Sequence, residues 1–168
     1  MLLATDRVNI RPFQHSDLSD YSRIVADPDV MRYLTGEPQS MEEARQYVEE
    51  CIASEKERGY SRYAVLLKQS GELIGFCGYK LIDGEIDFGW RYAKAHWRKG
   101  YGTEAATAVL HYGLRTLRLP MLVTAAFPEN IASIRIMQKI GMQQDGFGQW
   151  NGRKTVRYIV KSTSPYGP

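Results

Sequence analysis

The sequence predicts a mixed α+β (α/β) fold, a mostly antiparallel twisted sheet of about seven strands flanked by about four helices. Three observations predict it. Residues 62–92 read as three strand-like runs joined by tight turns, an antiparallel meander. Residues 85–127 read as strand, helix, strand, a βαβ unit whose two strands should be parallel neighbours. Residues 144–161 read as a hairpin around Asn151-Gly152, the preferred two-residue turn pair.

Each element carries a local signal. Val8-Asn9-Ile10-Arg11 alternates apolar and polar residues, as a short strand does, and Pro12 ends it. Ser16 is placed to cap a helix from Asp17 to Ala26, with Asp17 and Asp20 favourable in its first turn and Leu18, Tyr21, Ile24 and Val25 as its apolar stripe. Asp27-Pro28 breaks that helix, and Val30 to Leu34 leaves room for one further turn before Gly36 and Pro38. Ser40 and Glu43 have capping-box spacing for a helix that runs to about Arg58 and stops at Gly59. Ala44, Tyr47, Val48, Cys51 and Ile52 mark its inner face, and the other face is mostly acidic. The meander strands are Arg62 to Leu67, Glu72 to Leu81 and Glu85 to Tyr92, turning at Ser70-Gly71 and Asp83-Gly84. Gly75 and Gly78 either weaken the middle strand or let another backbone come close. Apolar and small residues recur at helical spacing from Thr103 to Leu117, and Pro120 precedes a strand from Met121 to Phe127. Asn130 is placed to cap a helix from Ile131 to Ile140 that ends at Gly141. Residues 1–161 read as one domain, and Ser162 to Pro168 as a disordered tail.

Composition excludes several classes. At 168 residues the chain can bury about 70% of its unfolded surface and needs no staples. No apolar run approaches the roughly 18 residues of a membrane span, and the N-terminal apolar stretch is too short for a signal peptide, so a cytoplasmic protein with no membrane partner is expected. Cys51 and Cys77 form no disulfide framework, and His15, His96 and His111 lack zinc-ligand spacing, so no metal is expected. No basic run interleaved with aromatics marks a nucleic-acid groove. The net charge of +3 is uneven: residues 1–60 hold 12 acids and 7 bases, whereas the bases dominate afterwards. Such asymmetry can steer ligands of opposite sign to different faces.

Trp97-Arg98-Lys99-Gly100-Tyr101-Gly102-Thr103 lies where a strand turns into a helix. A helix N-terminus offers unpaired N–H donors and the positive end of its dipole, and Arg98 and Lys99 add cations. The stretch reads equally as an anion cradle and as a tight turn with solvated charges.

The order of elements, with this loop, resembles the GNAT family of acetyl-CoA-dependent N-acyltransferases. Trp97 to Gly102 resembles the family's phosphate-binding stretch, although Trp97 stands where many relatives carry a polar side chain. The wording from Trp97 to Ala105 is similar to the branch of ribosomal-protein alanine acetyltransferases, as are Thr5 to Pro12, Ile86 to Trp90, and Glu129 to Ser133 with Lys139 to Met142. The resemblance implies a V-shaped splay between the two central parallel strands. Acetyl-CoA would lie in it, its pyrophosphate on the N–H groups of Arg98, Lys99, Gly100, Tyr101, Gly102 and Thr103. Backbone N–H groups near Trp90, Arg91 and Tyr92 would hold the thioester. The resemblance also implies Asp87 as the base, where many relatives carry Glu. Glu85 is the alternative on the same strand face, and either would act directly or through water. Many relatives carry an acidic Tyr where this chain has Met137. Ser133 would supply the hydrogen bond to sulfur instead, or simply cap its helix. Asn130 would bind the pantetheine amide, cap its helix, or do both, and Arg135 would lie near the phosphates or remain solvated. Cys77 reads as buried strand packing, which argues against an acyl-cysteine route.

The resemblance thus implies acetyl transfer by direct attack of a primary amine, a protein N-terminus or a small molecule. The acidic N-terminal half would face that amine. A non-catalytic acyl-CoA-binding regulatory module is the alternative, and a monomer or homodimer are both open. A nucleotide-binding module lacks its motifs here.

Overall fold

The computed structural model describes residues 2–162, which form one eight-stranded sheet in the order β1-β2-β3-β4-β5-β6-β8-β7. The strands are β1 Leu3–Ala4, β2 Val8–Pro12, β3 Arg62–Leu67, β4 Leu73–Ile82, β5 Glu85–Tyr92, β6 Met121–Ala126, β7 Gln143–Trp150 and β8 Arg153–Lys161. The helices are α1 Leu18–Val25, α2 Pro28–Met31, α3 Met41–Arg58, α4 Tyr101–His111 and α5 Ile131–Lys139. All strand pairs are antiparallel except β5 with β6. Of the expected tail, Ser162 donates its N–H to Pro120 O at 2.9 Å, and residues 163–168 lie outside the described residues.

The eighth strand is β1, two residues paired with Asn9 and Ile10, too short to show a period. The fifth helix is α2. Pro28 starts it rather than only ending its predecessor, because a first-turn residue needs no N–H, and the Asp27 side chain accepts the Asp29 N–H at 2.9 Å. The helical chain begins at His15, before the cap expected at Ser16, while α1 itself starts at Leu18, one residue after the expected Asp17. A 3₁₀ turn, His15–Asp17, precedes α1, and the Asp17 carboxylate accepts the Gln14 N–H at 2.8 Å while pairing with Arg11. The hairpins form as expected: Asp83-Gly84 and Asn151-Gly152 have positive φ at both residues.

The sheet divides two apolar layers. One face packs on α1 and α3 through Tyr21, Val25, Ala44, Val48, Ala64 and Phe76. The other packs on α4 and α5 through Tyr79, Phe88, Tyr92, Ala106, Val109 and Met137. The α4 helix runs into a π-helical turn, Tyr112–Thr116. There the Tyr79 hydroxyl donates to Val109 O, and a Cβ on Gly113 would lie 2.6 Å from that hydroxyl. A side chain that claims a helical carbonyl in this way displaces the regular ladder. Met137, at the position where a Tyr acid would stand, is fully buried core.

Candidate active site

The two central strands part almost as soon as they meet. β5 and β6 share one bridging pair, Asp87 with Val123. Beyond it β5 runs five residues further while paired with β4 alone. The Ala93 N–H bonds Ile74 O of the β4 side at 2.9 Å. Alternation along a strand then turns the N–H groups of Trp90 and Tyr92 toward the gap, and that of Arg91 toward β4.

The glycine loop lies just past that gap. A 3₁₀ turn, Lys94–His96, carries the chain around, and Arg98 and Gly100 both have positive φ, 61° and 86°. The helix starts at Tyr101, two residues before the expected Thr103, and the Glu104 N–H is the first to reach a helical carbonyl, Gly100 O at 3.1 Å. Tyr101, Gly102 and Thr103 therefore present N–H groups with no backbone acceptor among the described residues. A Cβ on Gly102 would come within 3.0 Å of Ile136 Cδ1 and 3.1 Å of Tyr92 Cε2, so glycine lets α4 press against β5 and α5. Trp97, where a polar residue was expected, uses its indole: Nε1 donates to Tyr92 O at 2.8 Å and ties the loop to the end of β5. Arg98 and Lys99 are exposed, and the His96 ring contacts Glu72 at 3.0 Å.

A clasp from the first hairpin holds this loop, and sequence reasoning missed it. Glu104 Oε1 accepts the Thr5 hydroxyl at 2.5 Å and the Arg7 N–H at 2.8 Å, and Glu104 Oε2 accepts Arg7 Nε at 2.6 Å. Arg7 Nη1 donates to Lys99 O at 2.9 Å, and the guanidinium lies over the Tyr101 ring, 4.7 Å from its centroid. Burial raises the Glu104 pKa, but the Thr5 and Arg7 donors outweigh it and hold the carboxyl below its ordinary value. These partners lie 97 and 99 residues apart, so no local spacing reveals them.

The face of β5 toward α1 and α3 is charged. Buried Arg62 crosses it, donating to Gly78 O at 2.6 Å, to Asp87 O at 3.3 Å, and to the Asp87 carboxylate. Gly78 and Gly89 are a cross-strand pair, and a Cβ on Gly89 would meet Arg62 Nη1 at 2.7 Å. The glycines of β4 also admit backbone: a Cβ on Gly78 would lie 2.3 Å from Ser61 O, and one on Gly75 2.0 Å from Arg91 O. Asp87 thus pairs with Arg62. Glu85 is held by both ends of Arg157, at 2.7 and 2.8 Å, and this hydrogen bonding outweighs burial and lowers its pKa. Five of the six acids of α3, Glu42, Glu43, Glu49, Glu50 and Glu57, are exposed, and the sixth, Glu55, is half-buried.

On the far side of the gap, Asn130 caps α5 by accepting the Ser133 N–H at 3.2 Å. The Ser133 hydroxyl makes no hydrogen bond among the described residues, and Arg135 is exposed. Cys77 is fully buried, and burial pushes its thiol up to about 12, so it is not a ready nucleophile. Among the described residues no cluster of three His, Cys, Asp or Glu could hold a metal, and no helix is long and apolar enough to cross a membrane.

The arrangement unites outward-facing N–H donors at a helix start, a splayed parallel pair and a charged strand face. The family model for the GNAT acetyltransferase domain matches residues 7–143. The chain therefore belongs to the GNAT acetyltransferase family, and with it to the acetyl-CoA-dependent N-acetyltransferases. It is 32% identical over 149 residues to the uncharacterized N-acetyltransferase YnaD of Bacillus subtilis, covering 88% of this chain and 85% of that one. Its fold is similar to a GNAT-family acetyltransferase from Bacillus anthracis, at a TM-score of 0.85 and 26% identity, over 96% and 99% of the two chains. It shares the fold, at 16% identity and a TM-score of 0.81, of a ribosomal L7/L12 α-N-protein acetyltransferase solved with coenzyme A, over 95% and 97% of the chains.

Proposed function

We propose that this protein, as a single domain over residues 1–161, transfers the acetyl group of acetyl-CoA to a primary amine by direct attack in a ternary complex. The observation that carries this reading is the conjunction at the end of β5. Two strand N–H groups turned away from β4, at Trp90 and Tyr92, lie beside a helix start with three more that have no backbone acceptor among the described residues, at Tyr101, Gly102 and Thr103. The first set suits a thioester carbonyl, and the second suits a pyrophosphate. Gly100 and Gly102 let the backbone approach, and exposed Arg98, Lys99 and Arg135 supply outer cations.

In this reading the amine nitrogen attacks the carbonyl carbon, and the N–H groups of Trp90 and Tyr92 receive the charge that develops on oxygen. The C–N bond forms as the C–S bond breaks, and the coenzyme leaves as a thiolate. Asp87 takes the amine proton, directly or through water, because it lies at the point where β5 and β6 part. Glu85 is the weaker candidate, since Arg157 holds both of its oxygens. Ser133 is free to hydrogen-bond the departing sulfur, because its Oγ has no partner in the protein among the described residues and only its N–H is used by the Asn130 cap. Asn130, engaged as that cap, keeps its amide NH₂ for the ligand.

The test is thiol release from acetyl-CoA against a panel of small amines and N-terminal peptides, with and without Asp87→Asn. The expected result is amine-dependent turnover that Asp87→Asn lowers while acetyl-CoA affinity holds. Acetyl-CoA binding without turnover on the whole panel would instead support a regulatory acyl-CoA-binding module.

A further inference from the structure

The charged face of β5 contains one cation, Arg91, that no carboxylate answers among the described residues. Arg62 and Arg91 both lie over the Phe76 ring, 5.6 and 5.4 Å from its centroid. Asp87 pairs with Arg62, but among the described residues no carboxylate lies within ion-pair distance of Arg91. Asp29 pairs with Lys94 at 2.5 Å, and Glu129 lies 3.8 Å from Arg153.

Neutral groups hold Arg91 in place. Its Nη1 donates to the Tyr21 hydroxyl at 3.1 Å and, at 3.4 Å, to Gln39 Oε1. The guanidinium also lies 5.8 Å from the Tyr47 ring centroid, and its Nε is buried with no partner. Nη2 differs from both other nitrogens: it has no hydrogen-bond partner among the described residues, yet it is not among the sealed, unsatisfied atoms. Ring faces and neutral acceptors orient a guanidinium without cancelling its charge. With Nη1 engaged and Nε sealed, Nη2 is left to give a single charge-assisted hydrogen bond to a carboxylate oxygen. The Arg91 N–H bonds toward β4, and by strand alternation its side chain lies on the same face of β5 as Asp87.

We propose that the acceptor amine carries a carboxylate close to its nitrogen, as an amino acid does, and that Arg91 is the residue that reads it. This rests on the acetyl-transfer reading above. It assigns the acceptor side an anionic group, where the overall charge split pointed only to a cationic one.

The experiment compares free amino acids with their matching carboxamides in thiol release, using wild type, Arg91→Met and Arg91→Lys. Met keeps the apolar stem over the rings and removes the charge. Wild type is expected to prefer the acid by about tenfold or more in kcat/KM, Arg91→Met to bring the ratio to about one mainly by raising the acceptor KM, and Arg91→Lys to restore part of it. Acetyl-CoA KM is the control for the fold of the strand. Equal use of acids and amides by wild type would overturn the proposal, and so would an Arg91→Met variant that keeps the acid preference. Calorimetric titration of the amino acids into the protein with coenzyme A gives a second readout. Binding by wild type that Arg91→Met abolishes would support the carboxylate site even if no amine is acetylated, in which case the transfer reading alone fails. No binding and no acid preference sinks this inference while leaving amine acetylation standing.

Discussion

The loop at the head of α4 presents backbone N–H groups, whereas the face of β5 toward α1 and α3 presents guanidinium and carboxylate side chains. The loop donors are set by φ values at Arg98 and Gly100 and by the start of a helix, with the Arg7–Glu104 clasp bracing them from outside. The β5 face depends on Arg62, which reaches from β3 across the Gly78–Gly89 pair to Asp87. A backbone site tolerates most side-chain changes and fails when φ or close approach is disturbed. A side-chain site tolerates backbone adjustment and fails when one charge of a pair is lost.

The largest effect should follow from Arg62→Met. The Arg62 side chain is 9% exposed, so its removal takes three hydrogen bonds from the strand and leaves Asp87 with no counter-charge. Breaking a buried pair costs about 3–5 kcal/mol, and the 30% exposure of the Asp87 side chain puts this case near the lower end, at about 3 kcal/mol. Urea unfolding measures it. Asp87→Asn should also destabilise, because it strands a buried guanidinium. Its loss of turnover is therefore to be read at a temperature where both proteins are folded. A cost below about 1 kcal/mol for Arg62→Met would mean that the pair behaves as a solvated surface pair, and the contrast between the two regions would collapse.

Gly100→Val comes next. A β-branched residue at φ 86° costs about 1–2 kcal/mol in backbone strain alone, and its Cβ would press on Arg7 Nη2 at 3.1 Å. The strain is relieved by shifting the loop, so acetyl-CoA affinity should fall by about tenfold, read by calorimetry. Lys99→Ala removes a whole cation yet should cost less than this, because its side chain is exposed and the donors are backbone. If Lys99→Ala proves the costlier change, the cradle is built from side chains after all.

The same contrast explains what the sequence made legible. Strand periodicity and the paired positive-φ turns at Asp83-Gly84 and Asn151-Gly152 are local, so the fold could be read residue by residue, whereas the loop by itself reads equally as an anion cradle and as a tight turn. The two-residue β1 and the π turn opposed to Tyr79 could not be read this way, because each depends on a contact made only after folding, whereas the helix start at Pro28 carried a local signal, Asp27 as cap with Pro at the first helical position. The side-chain half was legible as residue types at positions, Asp87 and Glu85 on one strand face, but not as pairs. Nothing near Arg62 announces Asp87, 25 residues away, and nothing near Glu85 announces Arg157. Trp97 shows the opposite error. Read as a departure from a polar position, it supplies a polar atom through its indole N–H.

The smallest predicted effect sharpens the comparison most, because Glu104 belongs to both kinds of site: a side chain that braces a backbone cradle. Glu104→Gln keeps an acceptor for Thr5 or the Arg7 N–H but removes the charge that holds the Arg7 guanidinium, and Arg7 is 49% exposed, so the cost should be about 1 kcal/mol. The carboxyl is held below its ordinary value in the folded protein, with the Thr5 and Arg7 donors overcoming the effect of burial. A depressed acid contributes stability that is fully present above its unfolded pKa, 4.5, and that is lost as pH falls through the lower folded value. The stability difference between wild type and Glu104→Gln should therefore be flat from about pH 8 to about pH 5 and shrink below about pH 4.5. Thermal unfolding across that range measures it, with acetyl-CoA affinity taken at neutral pH beside it. A loss of stability with full affinity would show that the clasp holds the first hairpin to α4 without shaping the loop. A difference that persists undiminished to about pH 3 would show that packing, rather than the charge, is what Glu104 supplies.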